Sequence, residues 1–117
     1  MRNRTRRAER LADLLRQELG ELLQYEVKDP RVGFSTVTAV EVSEDLRVAR
    51  VFVSAPGNEE QKLQSLEGLT AAQGFLRRQL AQRLRLRHTP ALSFQLDRAQ
   101  EYEQHIEELL RSVRSKP

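Results

Sequence analysis

Two neighbouring segments rich in β-branched residues constrain this fold most strongly, because they are expected to pair and bury a common face. Residues 34–43 (F-S-T-V-T-A-V-E-V-S) and 47–54 (R-V-A-R-V-F-V-S) each have the composition of a strand, and S-E-D-L between them is typical of a turn. Alternation along the second strand separates two faces, one with Ala49, Val51 and Val53 and the other with Val48 and Phe52. Together the segments predict a β-hairpin.

Helical periodicity precedes this hairpin. Residues 5–25 predict an amphipathic helix that Thr5 could cap, and its apolar face is formed by Ala8, Leu11, Leu15, Leu19 and Leu22. The segment V-K-D-P-R-V-G at 27–33 should end the helix, because Pro30 cannot continue it and Gly33 loosens the chain.

A second helical region follows the hairpin, and the chain then returns to a strand and a last helix. The loop at 55–58 should start a helix over 59–87, which Gly74 divides into two shorter helices or one kinked helix. Residues 91–97 alternate as a third strand, with Leu92, Phe94 and Leu96 facing inward. A closing helix is predicted from about Gln100 to Val113, followed by a frayed tail at 114–117.

The order of these elements, α-β-β-α-kink-α-β-α, predicts an α+β fold in a single domain spanning 1–117, with its core at about 5–113. Three strands can cover one core with the helices packed on one face of the sheet. The connection through two helices permits a parallel third strand, so a mixed sheet is expected, whereas the strand order stays open.

Charge is distributed unevenly along the chain. Residues 1–10 hold five arginines against one glutamate, residues 75–90 hold five arginines and no acid, and residues 95–110 hold five acids against Arg98. Such segregation favours a basic footprint for a polyanion, and arginine forks onto phosphate groups. A GC-rich coding sequence would also favour arginine over lysine, although it would not explain the clustering.

The second half of the long helical region predicts a basic stripe. By helical spacing, Arg78, Gln82 and Arg85 lie opposite Leu76, Leu80 and Leu84, with Arg77 on the flank. The alternative, a solubilising surface, usually mixes positive and negative charges. We therefore interpret the stripe as a binding surface.

Gly74 has two interpretations. A glycine lets the backbone bend and lets a phosphodiester approach, next to the amides at a helix N-terminus. KH domains use a Gly-x-x-Gly loop between two helices in this way to clamp a nucleotide backbone. The alternative is that Gly74 only terminates a helix.

Features of enzymes, metal sites and membrane proteins are weak or missing in the sequence. His88 and His105 stand alone, no metal-ligand spacing or phosphate loop appears, and the glutamates near the C-terminus have the spacing of a solvated helix face. We expect no cofactor, and a small hydrolase is the least supported alternative. The chain has no cysteine, no apolar run long enough for a membrane span and no signal peptide, so we expect a cytoplasmic protein. One core accounts for most of the apolar residues and no heptad seam is long enough for a coiled coil, so we expect a monomer.

Four segments, in this order, make the chain resemble the ribosome-binding factor A family over roughly residues 4–113. They are K-D-P-R-V-G (28–33), V-E-V-S-E-D-L-R-V-A-R-V-F-V-S (40–54), A-A-Q-G-F-L-R-R-Q-L (71–80) and L-R-L-R-H-T-P-A-L-S-F-Q-L-D (84–97). The resemblance implies a type II-like KH fold in which an Ala-x-Gly kink, here Ala72, Gln73 and Gly74, replaces the usual Gly-x-x-Gly. It also implies a protein that is not an enzyme.

The function implied by the resemblance is that of an assembly factor. Its partners would be the immature small (30S) ribosomal subunit and its precursor rRNA, with assistance to late maturation and rRNA processing, and possible partners include assembly GTPases. The residues expected to bind RNA are Arg4, Arg7, Arg10, Ala72, Gln73, Gly74, Arg77, Arg78 and Arg85. The alternative is a protein-interaction module that docks through its sheet face or its acidic C-terminal helix.

Overall fold

The structure is a computed structural model, and it describes residues 5–114 apart from the side chains of Gln100, Glu101 and Gln104. Arg4 and residues 115–117 therefore lie outside the described residues. The elements are α1 (Arg6–Tyr25), β1 (Thr36–Val42), β2 (Val48–Ser54), α2 (Glu59–Ala71), α3 (Gln73–Leu84), β3 (Ala91–Leu96) and α4 (Arg98–Arg114).

The first helix begins as the sequence predicts. Thr5 is extended, and its Oγ1 accepts a hydrogen bond from the amide of Ala8 at 3.1 Å, which satisfies one of the free donors of the first turn. The leucine stripe then turns toward the sheet, so that Leu15, Leu19 and Leu22 are completely buried.

The three strands form one mixed sheet in the order β1-β2-β3. β1 pairs antiparallel with β2, as the hairpin predicts, and β2 pairs parallel with β3, which confirms the expected mixed sheet. A bulge between Val37 and Ala39 interrupts the β1 ladder.

One face of this sheet forms the core. In β2, Ala49, Val51 and Val53 have no exposed surface, whereas Val48 on the opposite face is 42% exposed. α1 packs against β1, and α2 and α3 pack against β3. The expected arrangement, with helices on one face, is thus observed for α1, α2 and α3, and Leu69, Leu76 and Leu80 complete the core from the helix side.

Several predicted boundaries are wrong. The first strand begins at Thr36 and not at residue 34, because Phe34 lies in a turn. The helical region does not reach residue 87, because Arg85 adopts the left-handed conformation (φ 52°, ψ 45°) and ends α3 at Leu84. α4 begins two residues earlier than expected, and Arg114, assigned to the tail, is its last residue.

The loop between α1 and β1 is held by its own side chains. The guanidinium of Arg31 donates to both carboxylate oxygens of Asp29, at 2.7–3.2 Å, and this hydrogen bonding lowers the pKa of Asp29. Gly33 adopts a positive φ of 53°, which turns the chain toward β1. Between them Val32 is only 1% exposed, so this loop contributes a side chain to the core.

α2 approaches this loop closely at Gly68. A Cβ atom at Gly68 would lie 3.0 Å from the Cβ of Arg31 and 3.2 Å from Cγ2 of Val32. Since Val32 is fixed in the core, it has little freedom to move away. Gly68 is therefore the residue that allows α2 to pack on the loop.

We predict opposite effects of alanine at two helical glycines. Gly68→Ala should lower the free energy of unfolding by about 1 kcal/mol, since overpacking of about 1–3 kcal/mol outweighs a helix-propensity gain of about 1 kcal/mol. Gly20→Ala is the matched control because a Cβ there meets nothing within 4 Å, so it should stabilise by up to about 1 kcal/mol. Urea denaturation of both variants measures the difference, and equal stabilities would contradict the close packing at Gly68.

Candidate nucleic-acid interface

The break in the long helical region lies at Ala72 and not at Gly74. Ala72 has φ −84° and ψ 0°, and its amide donates to the carbonyls of Gly68 and Leu69 at 3.0 and 3.1 Å. Its own carbonyl then accepts from the amide of Leu76 at 2.9 Å and so begins α3. One residue therefore ends one helix and starts the next, which confirms a break at the Ala-x-Gly segment.

Gly74 lies in the first turn of α3 with no positive φ. It is exposed, and a Cβ atom there would lie 3.4 Å from Nη1 of Arg78, which is an ordinary contact. The local backbone therefore does not require a glycine at this position. Gly74 adds no side chain of its own to the first turn of α3, and the guanidinium of Arg78 lies beside it.

Two residues expected to bind RNA make contacts within the protein. Gln73 and Arg77, one helical turn apart, lie on the side of α3 that faces β3. Nε2 of Gln73 donates to the carbonyl of Leu92, and Arg77 donates to the carbonyls of Pro90 at 3.2 Å and Thr89 at 2.9 Å. These carbonyls belong to the outer edge of β3 and the loop before it. Side chains of α3 therefore satisfy backbone acceptors that an edge strand would otherwise leave unpaired.

Arg83, another of the five arginines at residues 75–90, forms ion pairs that connect α3 to α1. Arg83 lies within 3.6 Å of Glu18, 3.9 Å of Glu21 and 3.6 Å of Glu26, and about a third of its side chain is exposed. The three carboxylates balance its charge, so Arg83 adds little to the positive potential of the surface.

The remaining arginines of this cluster are free at the surface. Arg78 lies on the exposed side of α3, and Arg85 and Arg87 follow at its C-terminal end; none has a hydrogen bond or ion pair within residues 5–114. Arg7 and Arg10 are likewise exposed on α1, whereas Arg4 lies outside the described residues. Three of the five arginines at 75–90 are therefore free to contact a ligand, and two are used within the fold.

An exposed aromatic ring is a feature that the sequence pattern missed. Phe34 is 89% exposed, although its position in a β-branched run assigned it to a strand. It borders an open groove between α1 and the start of β1, where Arg16 and Gln24 also lie. In the sequence, the glycine before Phe34 was the available signal that the chain turns here. In the structure, this glycine, Gly33, has a positive φ.

Metal-binding clusters and long apolar helices are both missing from residues 5–114. No group of three His, Asp or Glu side chains in this range is placed to hold a metal ion. None of the helices in the same range combines the length and apolar character that crossing a bilayer requires.

Comparison with known proteins identifies the family. Residues 7–110 match the family described as ribosome-binding factor A. The chain belongs to the ribosome-binding factor A family. This confirms the resemblance carried by the four sequence segments, all of which lie within the matched range.

Solved structures agree with the family in fold. The crystal structure of ribosome-binding factor A from Thermus thermophilus is 36% identical with a TM-score of 0.67, covering 76% of this chain and 94% of that one. The solution structure of a Thermotoga maritima protein described as a putative ribosome-binding factor A is 36% identical with a TM-score of 0.70, covering 81% and 91%.

A third structure places a family member in a complex. A homology model of the Thermus thermophilus factor, fitted into a cryo-EM map of a 30S complex with that factor, is 38% identical to this chain. Its TM-score is 0.63, and the alignment covers 74% of this chain and 91% of that one.

We predict that two neighbouring arginines of α3 differ in their contribution to stability. Arg77→Ala should lower the free energy of unfolding by about 1 kcal/mol. The substitution removes the charged donors to two backbone carbonyls, and water can replace those donors only in part. Arg78→Ala, the matched control, should change it by less than about 0.5 kcal/mol. Urea denaturation compares them, and an unchanged stability of the Arg77 variant would show that the edge of β3 does not depend on this contact.

Proposed function

We propose that this chain is a non-enzymatic assembly factor that binds the immature small ribosomal subunit through its rRNA. Membership of the ribosome-binding factor A family carries the proposal, together with the 30S complex of the Thermus thermophilus relative. The free arginines on α3 and just after its C-terminal end support rRNA as the component that is bound.

The proposed contact is to phosphate groups and shape more than to base sequence. Arg78 and Arg85 would pair with phosphates along the exposed side of α3, and Arg4, Arg7 and Arg10 would extend the contact from the N-terminal side. The segment Ala72, Gln73 and Gly74 would admit the backbone of the RNA closely, since Gly74 offers no side chain. Arg77 would mainly position this surface, because its donors are used by the β3 edge.

Binding of this kind favours one conformation of the RNA. The factor would hold an rRNA conformation of the immature subunit during late maturation and rRNA processing, and it would leave when the mature form competes. We further propose that it works as a monomer in the cytoplasm, and that assembly GTPases are among the factors that act beside it.

Salt dependence tests the phosphate contacts. The double variant Arg78→Ala/Arg85→Ala should bind purified immature small subunits more weakly, and each lost phosphate contact should reduce the slope of log K against log salt concentration by about one unit. Co-sedimentation over a series of salt concentrations gives the slope. Arg16→Ala is the control, since Arg16 is also exposed but lies on α1, in the groove beside β1.

The slopes distinguish direct phosphate contacts of the arginines from a diffuse attraction by net charge. A slope unchanged in the double variant and in Arg16→Ala alike would contradict the proposed phosphate contacts. A slope reduced by the same amount per removed charge in both variants would indicate diffuse attraction by net charge.

Gly74→Ala tests the role of the exposed turn. The variant should fold and gain up to about 1 kcal/mol of stability, because the site is helical and a Cβ is accommodated. Its binding to immature subunits should nevertheless fall, because the new methyl group stands where the RNA backbone approaches. The measurements are a urea melt and co-sedimentation of the same preparation.

Gly20→Ala serves as the control, because it makes the same chemical change in an open position of α1. If a stable Gly74→Ala protein binds subunits fully, Gly74 has no part in RNA recognition and is only a residue of the first turn of α3.

A further inference from the structure

The last helix carries an apolar stripe that nothing in the described part of the chain covers. Its members recur at the three- and four-residue spacings of one helix face, so they share one side of α4. They are Tyr102 (67% exposed), Ile106 (36%), Leu109 (49%), Leu110 (48%) and Val113 (69%). Leucines of α1 at the same kind of spacing are completely buried. The stripe of α4 therefore has the sequence pattern of a buried helix face, but it is exposed.

The first turn of α4 contacts Asp97 just before it and the start of α2. The amide of Ala99 donates to Oδ1 of Asp97 at 3.2 Å, and Arg98 forms hydrogen bonds with the carboxylate of Glu59 at the start of α2. These bonds lower the pKa of Glu59, as expected for a carboxylate that an arginine binds. The start of the helix is thereby positioned, and the stripe lies beyond it.

The charges beside the stripe argue against RNA and lipid as its occupant. Glu103, Glu107 and Glu108 are exposed around the polar side of the helix, and Arg111 and Arg114 follow only in its last turn, so carboxylates predominate beside most of the stripe. Carboxylates repel phosphates, and a helix that lies on an anionic membrane usually carries lysine and arginine on its polar side. An apolar stripe also finds no matching groove on the phosphate surface of RNA.

A second copy of the chain is also a poor occupant. α4 has 17 residues, about two and a half heptads, whereas a coiled coil generally needs at least three to four heptads. The remaining class of occupant is another protein. Its groove would be apolar, to bury the stripe, and rimmed by lysine or arginine, to complement the glutamates.

We propose that α4 is a docking helix, and that its stripe binds an apolar groove with a basic rim on a protein of the small ribosomal subunit. The identity of the subunit rests on the proposed function, whereas the chemistry of the groove follows from α4 itself. The chain would therefore contact its partner twice, through α3 to RNA and through α4 to protein.

The test compares complete subunits with protein-free RNA. The variant Ile106→Gln/Leu109→Gln removes apolar surface without changing the net charge. It should bind protein-free small-subunit rRNA as the unaltered chain does, and immature subunits at least tenfold more weakly. Arg111→Gln, on the opposite side of α4, is the matched control and should bind subunits nearly as tightly as the unaltered chain. Circular dichroism confirms that the variants keep their helices.

A second measurement does not depend on a loss of binding. A photo-crosslinking amino acid at position 113, irradiated on purified immature subunits, should join the chain to a subunit protein that mass spectrometry identifies. A crosslink to rRNA would overturn the proposal, and so would unchanged subunit binding by the Ile106/Leu109 variant or an equal loss of binding on protein-free RNA.

Two further outcomes remain distinguishable. A dimer of the unaltered chain in sedimentation equilibrium, abolished by the Ile106/Leu109 variant, would assign the stripe to a second copy and overturn the proposal. An unaltered chain that binds neither subunits nor rRNA would contradict the proposed function itself.

Discussion

The parallel pairing of β2 with β3 is the constraint on which most of this structure depends. Parallel neighbours in a sheet cannot be joined by a tight turn, so the chain must leave the end of β2 and return to the start of β3. α2 and α3 make this return, and the break at Ala72 changes its direction between them. The exposed first turn of α3 is thus a consequence of how the sheet is connected.

The same connection divides the arginines of α3 between two roles. β3 is an edge strand, and its outward carbonyls need donors, which Gln73 and Arg77 supply. Arg83 points to α1 and its glutamates, while Arg78 lies on the side that faces solvent. Positions a few residues apart on one helix therefore hold the fold or remain available for a ligand, according to what the fold places beside them.

Local pattern predicted the elements of this fold well, because each relies on interactions between near neighbours. The alternation in β2 and the leucine period of α1 report which side is buried, and Thr5 is a cap by its local chemistry. The family resemblance rested on such local segments and is confirmed. The mixed sheet followed from the length of the connection, whereas the strand order required the structure. The candidate site was less predictable, because its residues are distinguished by tertiary contacts.

Three features of the site and its surroundings show why. Gly74 is the weakest helix former of its segment, yet the break lies at Ala72. The amide of Ala72 ends α2 and its carbonyl begins α3. Helical spacing separates Arg77 on the flank from Arg78 opposite the leucines, but only the structure shows that Arg77 donates to the edge of β3. Likewise, the stripe of α4 has the pattern of a core helix, and no local signal shows that the described chain leaves it exposed.

Two contacts of different chemistry, as proposed for α3 and α4, would explain how such a factor could discriminate between stages of its target. α4 is about 25 Å long at 1.5 Å per residue, so its stripe can lie well away from the arginines of α3. When one chain holds two sites, the second contact forms at high effective concentration only if the target presents both at a distance that the chain can span. A rearrangement that moves RNA relative to protein during maturation would therefore break the match and release the factor without any catalytic step.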